Sequence, residues 1–162
     1  MTRTGRATRL HVIAVGRVRP PFADAVADYE ARVDRRLGLR VDEVAAEPLQ
    51  RGEARARAQE AERMRARLTR GAHVVALDPT GKQPAGSEAF ARWLGAHVDA
   101  GRVPTFLIGG ASGLDESLVA ECRERLALGP LTMPHQLARL VLTEQLYRCL
   151  LYTSDAADEE DS

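Results

Sequence analysis

Five short apolar runs recur along this chain, and the stretches between them repeat their apolar residues every three or four positions. Strand and helix therefore alternate from end to end. The runs are residues 10–15 (LHVIAV), 39–45, 73–78 (HVVALD), 103–108 and 126–128. Residues 21–37 place Phe22, Val26, Tyr29, Val33 and Leu37 on one helical face, and Gly38 closes that helix. A second helix is predicted over residues 52–69, with Ala54, Ala58, Ala61, Met64 or Arg65, and Leu68 along one side. A third covers residues 87–98, capped by Ser87 and burying Phe90, Leu94 and Val98. A short helix from Asp115 to about residue 126 and a last one from His135 to about residue 151 complete the pattern. Such alternation predicts an α/β fold, a mostly parallel sheet with helices on both faces.

Two of the runs end in residues that can continue neither strand nor helix. After residues 103–108 come Gly109, Gly110 and Gly113, which let a backbone turn sharply and approach a ligand closely. After residues 126–128 comes Gly129-Pro130-Leu131-Thr132-Met133-Pro134-His135, where each proline lacks an amide hydrogen and restricts the residue before it. Ligands of α/β proteins bind outside the carboxyl ends of strands, so the two loops are expected to form one small-molecule pocket.

At 162 residues the chain is about one domain. No run of apolar residues is long enough to span a membrane, and the apolar run behind the basic start is too short for a signal-peptide core. The expected compartment is the cytoplasm, where Cys122 and Cys149 are small hydrophobes and not a disulfide or metal pair. The formal charge of zero hides an uneven distribution, because the last fourteen residues hold five of the 23 acids and none of the 23 bases. Arg51, Arg55, Arg63, Arg67 and Arg70 make the second helix basic, either as a solvated face laced with ion pairs or as a surface for RNA. Trp93 suits a core or an interface better than a platform for stacking bases.

Two nucleotide-binding patterns are excluded. Gly81-Lys82-Gln83 lacks the upstream glycine and the following Ser or Thr of a phosphate loop. The glycine loop reads G-G-x-x-G at the fourth strand, not G-x-G-x-x-G at the first, and the next strand ends in Gly129-Pro130 where a Rossmann unit carries an acid.

Four ordered motifs carry a resemblance. Leu77-Asp78-x-x-Gly81-Lys82, Leu107-Ile108-Gly109-Gly110-x-x-Gly113-Leu114, Leu131-Thr132-Met133-Pro134-His135-Gln136-Leu137-x-Arg139 and Glu144-Gln145-Leu146-Tyr147-Arg148 are similar to those of the ribosomal RNA large subunit methyltransferase H family. This is a SPOUT-class family, and the resemblance covers residues 10–148. It implies a C-terminal trefoil knot, a homodimer, S-adenosylmethionine as cofactor, and methylation of a pseudouridine ring nitrogen in large-subunit rRNA within the ribosome. Carried over by motif, Leu77, Gly109, Gly110, Gly129, Pro130, Leu131, Thr132, Met133 and Pro134 line the cofactor pocket. No metal is implied. His135, Arg139 and Glu144 are candidates for helping the acceptor nitrogen lose its proton. The competing roles are a capping or core histidine for His135 and a structural ion pair for Arg139 and Glu144.

The resemblance stops after Arg148. Family members finish with an aromatic segment and a His-Pro-Tyr-His-basic tail, whereas this chain reads CLLYTSDAADEEDS. The expected division is a disordered or misassigned leader at residues 1–9, the SPOUT domain at 10–148 and an atypical acidic tail at 149–162. Acids there repel RNA phosphates. The expectation is a chain that folds, dimerises and binds cofactor but methylates poorly. The alternatives are a SPOUT-like enzyme with another RNA target and a cofactor-binding, ribosome-associated module without catalysis.

Overall fold

The computed structural model describes the backbone of residues 7–161 and side chains through residue 152. Residues 1–6, most of the segment read as a leader, lie outside the described residues, as do Ser162 and the side chains of residues 153–161 in the acidic tail. The elements are β1 (Leu10–Val15), α1 (Ala23–Leu37), β2 (Leu39–Val44), a 3-10 turn (Leu49–Arg51), α2 (Glu53–Arg65), β3 (Ala72–Lys82), α3 (Ser87–Asp99), β4 (Val103–Ile108), α4 (Glu116–Glu121), β5 (Glu124–Leu126) and α5 (His135–Asp161). Every pairing in the sheet is parallel, and the strand order is β2-β1-β4-β3-β5.

All six residues of β1 are buried, which is why its sequence is a continuous apolar run and not an alternating one. Leu10, Val12 and Ala14 join Val33, Phe90, Phe106, Ile108, Leu142 and Leu146 in a core on one side of the sheet. Ile13 and Val15 join Val44, Ala61, Met64, Leu107 and Leu118 on the other. The first layer is α1, α5 and α3, with α5 packed against both of its neighbours, and the second is α2 with α4. Full burial of each large apolar side chain contributes roughly 1.5–3 kcal/mol, so the sheet is held from both sides. No helix among the described residues is long and apolar enough to cross a membrane.

The alternation expected from the sequence is present, with corrections to its details. The buried stripe of α2 is Ala56, Glu60, Ala61 and Met64, whereas Ala54 and Ala58 are exposed. In an alanine- and charge-rich helix the small residues mark no face. The N-cap of α3 is Gly86, and the Ser87 hydroxyl bonds Gln145 Oε1 at 2.6 Å instead of capping its own helix. The chain between residues 115 and 126 divides into the short α4 and the three-residue β5, because Glu124 and Arg125 take the ladder positions opposite Val75 and Ala76. The backbone of α5 continues to Asp161, well past residue 151; no glycine or proline interrupts it.

One buried polar pair crosses from β1 to β2. His11 is 1% exposed and its Nε2 lies 2.7 Å from Asp42 Oδ2, to which Arg40 Nε also donates at 2.8 Å. Burial disfavours the imidazolium more than Asp42 supports it, so the His11 pKa lies below its ordinary 6.5. Burial also opposes ionisation of Asp42, but the bonds from His11 and Arg40 outweigh it and hold the carboxyl below its ordinary 3.8.

The unfolded chain therefore binds protons that the folded chain resists. The stability from His11 is complete above about pH 6.5 and is lost as pH falls below that value; the Asp42 contribution follows it below 3.8. The urea midpoint is expected to fall between pH 7 and pH 5, with a smaller fall in His11→Asn. An equal fall in that variant assigns the titration to another group.

Candidate active site

A cleft of about 1020 Å³ opens at the carboxyl ends of β3, β4 and β5. Three chain segments build it, and each owes its course to a backbone feature. The first is the irregular end of β3, where Leu77 and Lys82 both stand in register with Leu126, so the residues between them leave the ladder. Asp78 Oδ1 accepts from the Thr80 amide and hydroxyl at 2.9 Å each, which fixes the turn. Gly81 then passes so close to β5 that a Cβ there would lie 2.6 Å from the Arg125 carbonyl carbon. The Ala127 amide donates to Lys82 O at 3.0 Å just beyond it.

The second segment is the glycine loop. A Cβ on Gly109 would stand 2.6 Å from the Gly113 carbonyl carbon, and Gly113 has φ +83 and donates its amide to Gly110 O at 3.0 Å. The loop folds back on itself only because both positions are glycine. Asp115 ends it by capping α4, accepting from Ser117 N at 2.9 Å and Leu118 N at 3.3 Å. The hydrogen bond from the Ser117 hydroxyl comes first among the causes that hold the Asp115 carboxyl below its ordinary value. The third segment is the proline-containing loop between β5 and α5.

Eight of the nine residues chosen from the sequence for cofactor contact line this one cleft: Leu77, Gly109, Gly110, Gly129, Leu131, Thr132, Met133 and Pro134. Pro130, between Gly129 and Leu131, is not among the lining residues. His135, the first residue of α5, also lines the cleft.

Arg139 and Glu144 lie elsewhere. Arg139 is 5% exposed, donates to both Glu30 oxygens at 2.9 and 3.2 Å and to Glu43 at 2.6 Å, and borders a second, smaller hollow with Arg17, Val26 and Val41. Burial works against its charge, but the two carboxylates prevail and raise its pKa. Glu144 accepts from Arg148 Nε at 2.9 Å and from Gln145 at 2.8 Å, away from the cleft.

Sequence reasoning missed the cleft's charged lining, which adds Glu116 and Arg125 to Asp78, with Arg125 3.9 Å from Asp78. Arg125 directly precedes the apolar run 126–128, and placing β5 on that run left Arg125 outside the strand. Behind the glycine loop, Glu60 on α2 is 4% exposed, accepts from the Glu47 amide at 2.9 Å, and sets its other oxygen against Gly110. Of the arginines read as a basic face, Arg63 pairs with Glu47 at 2.6 Å and Arg67 with Asp42 at 3.8 Å, whereas Arg51, Arg55 and Arg70 are exposed; Arg57 and Arg65 of α2 pair with Glu53 at 3.8 Å and with Glu62 and Glu121. Trp93 stacks on Phe90 at 5.7 Å, as a core residue does. Burial pushes the Cys122 and Cys149 thiols up to about 11 and about 12, so neither is a nucleophile at neutral pH.

Residues 8–154 match the family model described as "Predicted SPOUT methyltransferase". The chain is 44% identical over 142 residues to the ribosomal RNA large subunit methyltransferase H of Gemmatimonas aurantiaca, covering 86% of this chain and 92% of that one. It is 43% identical over 152 residues to the protein of the same description from Acidiphilium cryptum, covering 91% and 92%. Among solved structures, a probable methyltransferase from Bordetella pertussis Tohama I superimposes with a TM-score of 0.55 at 16% identity, covering 88% of this chain and 95% of that one, and so shares the fold.

Two variants test how the site is held. Gly81→Ala pushes against the backbone of Arg125 and Leu126 and is expected to cost about 1–3 kcal/mol in urea denaturation. Arg139→Met strands Glu30 and Glu43. Breaking a buried pair costs about 3–5 kcal/mol, and because Glu43 is 37% exposed the expected loss here is nearer 2–3. A midpoint unchanged in either variant removes the corresponding contact from the structural account.

Proposed function

This chain belongs to the SPOUT methyltransferase family, among the ribosomal RNA large subunit methyltransferase H proteins, and from that premise we propose that it uses S-adenosylmethionine to methylate a pseudouridine ring nitrogen in large-subunit rRNA. The observation that carries the reading is the convergence of three sequence-distant stretches on one cleft. Leu77, Ile108, Leu126 and Met133 give it apolar walls, Gly109 and Gly113 keep a wall of bare backbone, and Asp78 and Glu116 offer acceptors. That combination fits a ligand with a flat purine, hydroxyls and an amino group. When bound, the cofactor supplies a methyl group already activated by its sulfonium.

The chain then has to position the acceptor and take up a proton. His135, at the cleft wall, is the group we assign to the proton. Arg139 acts from a distance: its bonds to Glu30 and Glu43 fix the first turns of α5 against α1 and β2, and so hold His135 and Ala138 at the cleft. Glu144 braces Arg148 on the outside of the same helix. The reading includes the knot, a homodimer and the cytoplasmic ribosome as site of action. Leu131 supports the dimer, since it is 78% exposed at the rim of the cleft and a second copy would cover it. The domain is taken as residues 10–148, with 149–162 as an acidic extension that weakens RNA approach.

Titration calorimetry with S-adenosylmethionine is expected to show one saturable site, weakened at least about tenfold in Ala138→Trp, which fills the cleft from α5. Circular dichroism verifies that the variant folds. Transfer of labelled methyl to unmodified ribosomes is expected to be slow and to fall about 10²-fold in His135→Asn with cofactor affinity kept. No binding by the folded chain overturns the reading; binding without transfer reduces it to a cofactor-binding module.

A further inference from the structure

At the amino end of the sheet, opposite the cleft, three ligating side chains converge from three elements. His73 lies near the start of β3, Glu124 begins β5 and His97 is in the last turn of α3. One donor atom from each lies within 4.8 Å of the other two. The His73 and His97 rings stack at 4.0 Å, and both Nε2 atoms face Glu124 Oε2, at 2.5 and 3.5 Å. Both imidazoles are within ion-pair distance of the same carboxylate oxygen, and two histidines converging on one oxygen is the arrangement of a ligand set more than of a single pair.

The surroundings orient the carboxylate. Trp93 Nε1 donates to both Glu124 oxygens, at 3.0 and 3.1 Å, the outer contact that fixes a ligand in metal sites. Around a tetrahedral ion with bonds of about 2.0–2.1 Å, neighbouring donors stand about 3.3 Å apart. The His97 and Glu124 atoms already have that spacing, the His73 contact has to open by about 0.8 Å, and the stacked rings, 4.0 Å apart, have to splay by about 1 Å. One contact opposes binding: Arg102 Nε donates to His97 Nδ1 at 2.8 Å, which leaves the hydrogen on Nε2. Arg102 is exposed, so a metal ion can displace both the hydrogen and the guanidinium.

We propose that His73, His97 and Glu124 bind one divalent ion of the zinc class, with water in a fourth position, as a clip joining the starts of β3 and β5 to the end of α3. Two imidazoles and a carboxylate select zinc, cobalt or nickel over magnesium or calcium. The clip lies one residue before Arg125 and two before Leu126, both of which line the cleft, so it steadies that wall without entering it.

The test is calorimetry of zinc into the metal-stripped full chain free of any histidine tag. One equivalent is expected, with a raised thermal midpoint by mass action. His97→Asn is expected to weaken binding at least about tenfold and Trp93→Phe about 10–100-fold. Arg102→Ala, which removes the competing donor, is expected to tighten it. No saturable uptake by the unsubstituted chain overturns the proposal, as does full uptake by a folded His73→Asn/His97→Asn double variant. Should that variant not fold, the visible spectrum of cobalt added to the unsubstituted chain decides: intense four-coordinate bands support the clip, and the weak spectrum of hydrated cobalt overturns it.

Discussion

Burial of β1 and β4 on both faces is the constraint on which the rest of the molecule depends. Phe106 and Ile108 point into the core beneath α1, α3 and α5, while Leu107 points into the core beneath α2 and α4. With both faces covered, only the strand ends remain open to a ligand. Parallel pairing requires crossover connections that carry the chain back over the faces of the sheet, so the loops at the carboxyl ends are free to differ in sequence. The glycines and prolines are concentrated there because that end has no ladder to keep.

Close backbone approach then shapes the cleft. Gly81 against Arg125 and Gly109 against Gly113 are contacts that a single methyl group would break. Through them the end of β3 leaves the ladder at Asp78 and returns at Lys82, and the glycine loop exposes its main chain. Rigid walls of this kind are worth more to a methyltransferase than reactive side chains. The methyl donor is activated before it arrives, and the protein's task is alignment.

Alignment also explains the position of the strongest ion cluster outside the cleft. Arg139 holds Glu30 of α1 and Glu43 of β2, so the start of α5 is tied to two elements on its far side. The desolvation of a buried guanidinium is offset by two carboxylates, and an unpaired one would be strongly unfavourable at this depth. The cost is accepted where position matters: four residues earlier in the same helix, His135 faces the cleft. Glu60 has a comparable place behind the glycine loop, where it holds Glu47 and backs Gly110.

The sequence by itself determined the alternation of strand and helix, the two loops and eight of the nine residues chosen for cofactor contact, because each follows from local chemistry. A six-residue apolar run such as LHVIAV, ended by Gly16, is too short for a helix and reads as a buried strand, and Gly109, Gly110 and Gly129 to Pro134 do not suit regular structure. Tertiary structure alone decided what depends on partners distant in sequence. The pairing of β5 with β3 moved that strand onto Glu124 and Arg125 and released Leu128 to the cleft. Packing against the sheet chose Ala56 and Glu60 over Ala54 and Ala58 as the inner face of α2. The carboxylates of Glu30 and Glu43, more than ninety residues away, turned Arg139 from the cleft to the helix layer. Periodicity marks which residues can share a face, but hydrogen-bond partners and charges on other elements select the face that is used.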